Sequence, residues 1–428
     1  MSAVAEETTR PCPQCGTRIR VDRRFIAWCA ACDWNLDPQP PQPEPKRFAR
    51  AEQALARRHG EQLLAEMLSG AEPRPRRDAP AVLAVALALA VHGVTVVLAV
   101  VGVWCAVAGR GGPGTFLGLL LLAVAAVLVP RFPKLPDDRP VLFRADAPEL
   151  FALVDEIAGV VGTRGVHAVV VDERVNAAVT TYGVRGRRLL VLGMPLWEIL
   201  TPEERIALLG HELGHYANGD TRHGLVVRTA VRSLSLWHHT LRPLPDPSPA
   251  EMVVNVLYVL PRLLVRGVLA LLLRLTARAG VRAEYLADRL AARVASTQAA
   301  AALMDRLLIA DSLGVFLRSE SGKAALGGSR STREAAARAD ELWGALTAYT
   351  ASVPEYEYER QRRVGARRGH RVDATHPPTH LRRTCLLDGP HVEAAVVLDA
   401  DRKHRIDQEV AAARTEVARR ILRDGFTG

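Results

Sequence analysis

Residues 201–220 read TPEERIALLGHELGHYANGD. Thr201 can cap a helix, Pro202 suits its first turn, and Glu204 follows three residues after the cap, so a helix is expected to open here and run through His215. Ile206, Ala207, Leu208 and Leu209 precede the histidines, so this helix should be buried. His211 and His215 lie four apart, and their imidazoles leave one helix face a turn apart. Two ligands of one tetrahedral zinc need that placement. Glu212, next to the first histidine, is placed to act as a catalytic general base toward a water at the metal. A buried His-Glu-His set needs a partner, and a metal is the economical one.

A zinc that does chemistry needs a third protein ligand and an open position. Residues 282–288 read RAEYLAD, on another expected helix, and Glu284 is the best candidate. Asp288 follows one turn later on the same face, where a carboxylate can hold a ligand histidine from behind. Ala283, Leu286, Ala287, Leu290 and Ala291 surround the two acids with small apolar side chains. The plainer alternative is a solvated acidic pair on an amphipathic helix.

Residues 210–220 (GHELGHYANGD) followed by 284–288 (EYLAD) resemble the HtpX-like and CAAX-prenyl-protease-like membrane metallopeptidases, gluzincins in which two His and one Glu hold zinc. Two more segments share the resemblance: Val175-Asn176-Ala177, and Thr375-His376-Pro377-Pro378 with Arg382. The order is the same over about residues 140–385. The resemblance implies a zinc endopeptidase with one catalytic zinc on His211, His215 and Glu284 and with Glu212 as base. It implies that Asn176 and Ala177 bind substrate along an edge strand, an augmentation mode with its own physical logic. His376 would be a catalytic group near the oxyanion, and Asp288 the supporting carboxylate. Asp220 matches the family position five after the second histidine, although Asn218-Gly219-Asp220 alone reads as a helix C-cap. A turn residue at Asn176 and a loop histidine at His376 are the plain alternatives, and His380 competes with His376. The chain departs from the family between the two halves of the site, where residues 252–275 are apolar but interrupted by Pro261, Arg262, Arg266 and Arg274.

The N-terminus carries a second pattern. Cys12-Pro13-Gln14-Cys15-Gly16 and Cys29-Ala30-Ala31-Cys32 place two CxxC knuckles at a separation that can close an all-thiolate tetrahedron. Residues 1–36 are therefore expected to form a zinc ribbon, with one structural zinc on Cys12, Cys15, Cys29 and Cys32 and with Trp28 and Trp34 beside it. Disulfides are the alternative. Arg18, Arg20, Arg23 and Arg24 are too few to favour nucleic acid, and a protein partner for the ribbon stays open.

Residues 37–78 combine a Pro-rich linker with an amphipathic helix expected over 46–70. Ala79–Ala108 is almost unbroken Ala, Val and Leu, with His92 and Thr95 as the polar exceptions. Thr115–Val129 is a second apolar run after the turn at 110–114. A bilayer core takes about 20 apolar residues as helix, so 79–130 reads as a transmembrane hairpin, two buried core helices being the alternative. Arg74, Arg76 and Arg77 precede it and Arg131 and Lys134 follow, which by the positive-inside rule puts both flanks in the cytoplasm. Residues 1–30 lack an apolar core, so no signal peptide is expected. A multi-pass protein of the cell membrane, with N-terminus and catalytic domain cytoplasmic, is the expected topology.

From residue 131 to 390 a metallopeptidase domain is expected. It has a helix over 147–162, strands over 167–171, 175–182 and 188–192, and a further membrane-associated helix at 252–275. Residues 391–428 look like a charged surface helix. The composition agrees with lipid-facing helices: 49% apolar, only 5% aromatic, and a net charge of +10 spread along the chain rather than in one run. The expected fold class is α+β and mainly helical: a membrane-anchored zincin-type domain with a small edge-strand sheet, plus the four-cysteine ribbon. The expected function is membrane-bound zinc endopeptidase at the cytoplasmic face, acting on polypeptides; the resemblance implies membrane proteins foremost, in quality control. A catalytically inactive, membrane-anchored zinc-ribbon adaptor is the alternative.

Overall fold

The computed structural model describes residues 8–38, 79–130, 132–217, 222–244, 247–326, 332–368 and 377–427, with the single positions 62 and 65. The body of the helix expected over 46–70, Asp220 and His376 lie outside the described residues.

Helices dominate, with two small sheets. In the cysteine module, β1 (Thr8–Pro11) and β2 (Arg18–Val21) pair antiparallel. The apolar runs form α1 (Ala79–Ala108) and α2 (Pro113–Leu128), an antiparallel pair joined by a turn in which Arg110 and Gly111 take positive φ. α1 has 30 residues and α2 only 16, so the second arm is shorter than a full bilayer crossing.

The second sheet has the order β3-β4-β6-β5: β3 (Val141–Leu142), β4 (Ala168–Asp172), β5 (Ala177–Tyr182) and β6 (Arg187–Gly193). β4 and β6 run parallel, while β5 returns antiparallel to β6. β4 is Ala-Val-Val-Val-Asp and buried throughout, as a β-branched run covered on both faces must be. β5 is an edge strand. One sheet face packs on α3 (Pro148–Val161) within the main core.

α4 (Met194–Ile199) leads to α5 (Pro202–Ala217). The expected capping box is present: Glu204 N–H donates to Thr201 Oγ1 at 3.2 Å, and Thr201 N–H donates to Glu204 Oε2 at 2.9 Å. α6 (Arg222–Thr240) and α7 (Pro249–Leu257) follow, then the 37-residue α8 (Val259–Ala295). The apolar stretch 252–275 is thus broken at Tyr258, with a bend of 41° between α7 and α8. Pro261 explains the break: it has no N–H to continue a helix, and its ring is tolerated in a first turn. Ala84, Ala88 and Val91 of α1 meet Ala230 and Leu234 of α6 and Val265 and Leu272 of α8 in a second apolar cluster.

The rest is helical: α9 (Thr297–Leu308), α10 (Ala310–Leu326), α11 (Thr332–Ala351), α12 (Glu355–Arg368), α13 (Thr379–Leu387) and α14 (Ala400–Asp424). The charged C-terminal helix has a second character. Ile406, Val410, Ala413, Val417 and Ile421 form a buried stripe along α14 that belongs to the main core, so only its outer face is a charged surface.

Candidate active site

α5 and α8 cross at unusually close range, and the residues at the crossing explain why. A Cβ on Gly214 would lie 3.0 Å from Ala287 Cα, and one on Gly210 would lie 2.2 Å from Val294 Cγ2 and 3.2 Å from Ala291 Cα. Glycines four apart on α5 face alanines four apart on α8, so the two backbones nearly touch. That contact carries the acids of α8 to the histidines of α5.

There His211 Nε2 lies 3.3 Å from His215 Nε2, and each nitrogen lies 3.6 Å from an oxygen of Glu284. His211 and Glu284 are buried, at 6% and 4% exposure, and His215 is half-buried. Tetrahedral nitrogen and oxygen ligands at ~2.0–2.1 Å from zinc stand about 3.3–3.4 Å apart. The donor set and its spacing fit such an ion. Glu212, also buried, sits beside the first histidine.

Behind the ligands, Asp288 Oδ1 lies 2.9 Å from His211 Nδ1. A proton on Nδ1 then leaves Nε2 as the lone-pair donor toward the metal position. Arg382 of α13 clamps the same carboxylate through two bonds, Nε to Oδ2 at 2.8 Å and Nη2 to Oδ1 at 2.6 Å, and its Nη1 lies 3.5 Å from Glu284. Burial alone would raise the Asp288 pKa, but the Arg382 charge and hydrogen bonds, with His211, outweigh it and hold the carboxyl well below its usual range. Burial pulls on Arg382 in the opposite sense, and the surrounding carboxylates more than offset it, so it stays charged.

Sequence reasoning placed His211, Glu212, His215, Glu284 and Asp288 at a common site, and the structure brings all five together. Asn176 is exposed and precedes β5 rather than lying within it; its carbonyl accepts from Gly193 N–H at 2.9 Å. Ala177 is the first residue of that edge strand and is buried. His376 lies outside the described residues, whereas Arg382 from the same late segment reaches the centre of the site.

One residue had no signal. Tyr216 directly follows the second histidine, and its hydroxyl donates to Thr180 O of β5 and lies 3.2 Å from Leu189 O, while Leu189 N–H donates to it at 3.3 Å. Burial raises its pKa to about 12, so it remains a donor. It ties the histidine helix to the edge strand. A sequence pattern cannot show this, because the partners are backbone groups distant in the chain.

In the N-terminal module, Cys12 Sγ lies 3.7 Å from Cys32 Sγ and Cys15 Sγ lies 3.6 Å from Cys29 Sγ; all four sulfurs fall within 4.8 Å of one another. A disulfide needs about 2.05 Å. Four sulfurs at ~2.3 Å from a tetrahedral zinc stand about 3.8 Å apart, and the module fits that geometry.

Comparison with curated proteins and with solved structures yields no match. A family model does match: peptidase family M48, over residues 145–388, a span that holds the whole His-Glu cluster and more than half of the chain. With the ligand atoms converging as a zinc site of that family requires, the chain belongs to the M48 family of zinc metallopeptidases.

Proposed function

We propose that the protein is a membrane-bound zinc endopeptidase that cleaves polypeptides at the cytoplasmic face of the cell membrane, with membrane protein quality control as its setting. His211, His215 and Glu284 would hold the catalytic zinc, and the four cysteines a structural one. The observation that carries the proposal is the convergence of His211 Nε2 and His215 Nε2, 3.3 Å apart, on the Glu284 carboxylate, each nitrogen 3.6 Å from one of its two oxygens, beside the buried Glu212.

When bound, zinc supplies a Lewis acid for the scissile carbonyl and acidifies the attacking water. The chain's own residues do the rest. Glu212 accepts the water's proton and returns it to the leaving amine. Asp288 fixes the ring of His211, and Arg382 fixes Asp288. The outer edge of β5, which pairs with no strand among the described residues, offers backbone groups to an extended substrate, with Asn176 and Ala177 at its start and Tyr216 holding the strand to α5. His376 is proposed as an oxyanion donor on the strength of the family pattern.

Membrane attachment is supported by α1. Its 30 residues have a mean hydropathy of 2.5 over their most apolar window, and Val96, Val100, Trp104 and Val107 are more than half exposed. At 1.5 Å per residue such a helix exceeds the ~30 Å bilayer core. The apolar face of α7 and early α8, with Val256, Leu260 and Leu264 exposed, would lie against the same lipid.

The test compares full-length protein with Glu212→Gln for zinc content and casein hydrolysis. The variant should keep its zinc and lose at least ~100-fold in rate, the usual scale of general-base catalysis. Equal rates would sink the peptidase proposal, and zinc in the cysteine module alone with no hydrolysis would favour the adaptor. Alkaline extraction tests the membrane part, since release of the chain into the supernatant would overturn it.

A further inference from the structure

The cysteine module does not stand apart from the rest of the chain. Trp28, beside Cys29, is 5% exposed and packs with Leu36 against Val364 of α12. Its Nε1–H donates to Tyr356 O at 3.2 Å. Arg363 lies over the Trp28 ring at 5.2 Å and donates to Ala30 O at 2.7 Å and to Asp33 at 3.0 Å. Arg360, 5% exposed, is held by Glu357 through bonds of 2.7 and 2.8 Å and spends another donor on Leu36 O at 2.9 Å. A module made to recruit nucleic acid or another protein through Trp28 would leave that residue open; here Trp28 is covered by this chain.

α12 in turn reaches the metal centre by two routes. Arg362 of α12 and Arg383 of α13 share Asp305, at 3.0 and 2.9 Å, and α13 carries Arg382, the clamp on Asp288. Tyr358 of α12 accepts from Arg306 at 3.0 Å, and Arg306 pairs with Glu204 at 3.2 Å, the acid that caps the histidine helix. Every link is a buried or half-buried charged bond, so displacement of α12 disturbs both supports of the site.

We infer that the four-cysteine module is a positioning element of the metal centre: it docks on α12 of its own chain and through that helix holds Arg382 and the capped end of α5 in place. The inference rests on the peptidase proposal for what the site does, but the contact network stands on its own and is tested on its own. Folding of the module around its four thiolates then becomes a condition for a well-ordered His-Glu site, although among the described residues none of the module touches that site.

The experiment uses the full chain with both zinc sites loaded. Trp28→Ala and Arg363→Glu remove the docking contacts and leave the seven proposed zinc-holding residues, Asp288 and Arg382 intact; Trp28→Phe and Arg363→Lys are the conservative partners. Amide hydrogen exchange is followed in 355–368 and 379–387, together with the rate at which a chelator strips zinc. In the disruptive variants, exchange in both segments should rise on the order of tenfold as the local opening free energy falls. The zinc of the His-Glu site should be lost faster, kcat should fall more than KM changes, and the conservative variants should restore all three. Faster exchange in 355–368 with 379–387 and chelation unchanged overturns the inference, as does no change in either segment. The exchange and zinc-loss readouts need no hydrolysis. An inert wild-type chain with coupled exchange leaves the inference standing and defeats the peptidase proposal; an active chain with uncoupled exchange does the reverse.

Discussion

Asp288 shows how a side chain behind the candidate ligands is tied into the site. It is 2% exposed, accepts two bonds from Arg382, and orients His211. Asp288→Asn keeps the volume but removes the charge, leaving Arg382 buried without its main counter-ion. Zinc affinity should fall about 10- to 100-fold, the usual effect of removing a ligand's supporting carboxylate, measured by competition with a chelating dye. Tyr216 acts on the other side of the same helix. Tyr216→Phe removes one hydroxyl shared by β5 and β6 and should cost about 1–2 kcal/mol of stability. KM for an extended peptide should rise while zinc content stays at wild type, and a loss of zinc would refute its assignment to the strand. At this scale the ligands were legible because each chemistry needs particular residue types at helical spacing. Arg382 was marked only as part of the late family segment, without a role, and Tyr216 was not marked at all, since an arginine or tyrosine is compatible with almost any role until its partners are known.

Among the elements, the decisive contact is the seam between α5 and α8. Its glycine and alanine pairs are visible as residues but gain meaning only once the two helices are known to cross there. Gly214→Val places branched carbon where Ala287 Cα already stands 3.0 Å from a single Cβ. The helices must separate, at a cost of about 1–3 kcal/mol, and Glu284 is drawn away from the histidines. The expected outcome is a folded chain of lower thermal stability that has lost the His-Glu zinc and retains the cysteine-bound one. Gly159 of α3 is the control: a Cβ there meets nothing within 4 Å, so Gly159→Ala should leave zinc content unchanged. Element positions followed the sequence closely. The helix expected over 147–162 is α3 at 148–161, and the strands at 167–171 and 188–192 are β4 and β6, shifted by one residue at most. Periodicity and β-branched runs determine such segments locally. The break at Tyr258 was less legible, because an apolar run hides a change of axis.

The whole molecule is closed by α14, which the sequence presented only through its charged face. Arg205 of α5, 5% exposed at the side chain, pairs with Asp407 of α14 at 2.8 Å, and Lys403 shares that carboxylate. Burial alone would raise the Asp407 pKa, but Lys403 and Arg205 outweigh it and hold it below its ordinary value of 3.8. A depressed carboxyl adds stability that is fully present above 3.8 and is lost as pH falls through the lower, folded value. Asp407→Asn should therefore destabilise the chain at neutral pH by about 1–2 kcal/mol, a figure discounted because Asp407 is one-third exposed. The difference from wild type should shrink as denaturation is followed below pH 3.8; a difference that stays constant down to pH 2 would rule out the ionised pair as its source.

The sequence by itself determined the zinc chemistry, the cysteine tetrahedron and the apolar hairpin, because each depends on residue type at short spacing. Only the tertiary structure decided how Glu284 reaches the histidines, that Arg382 locks Asp288, that α14 completes the core, and that the cysteine module leans on α12. These are contacts between residues from some tens to more than 300 positions apart, made by packing and by backbone acceptors that no local pattern encodes. The histidine helix at 201–217 carries its own ligands, but it becomes a site only where glycine lets another helix come within contact.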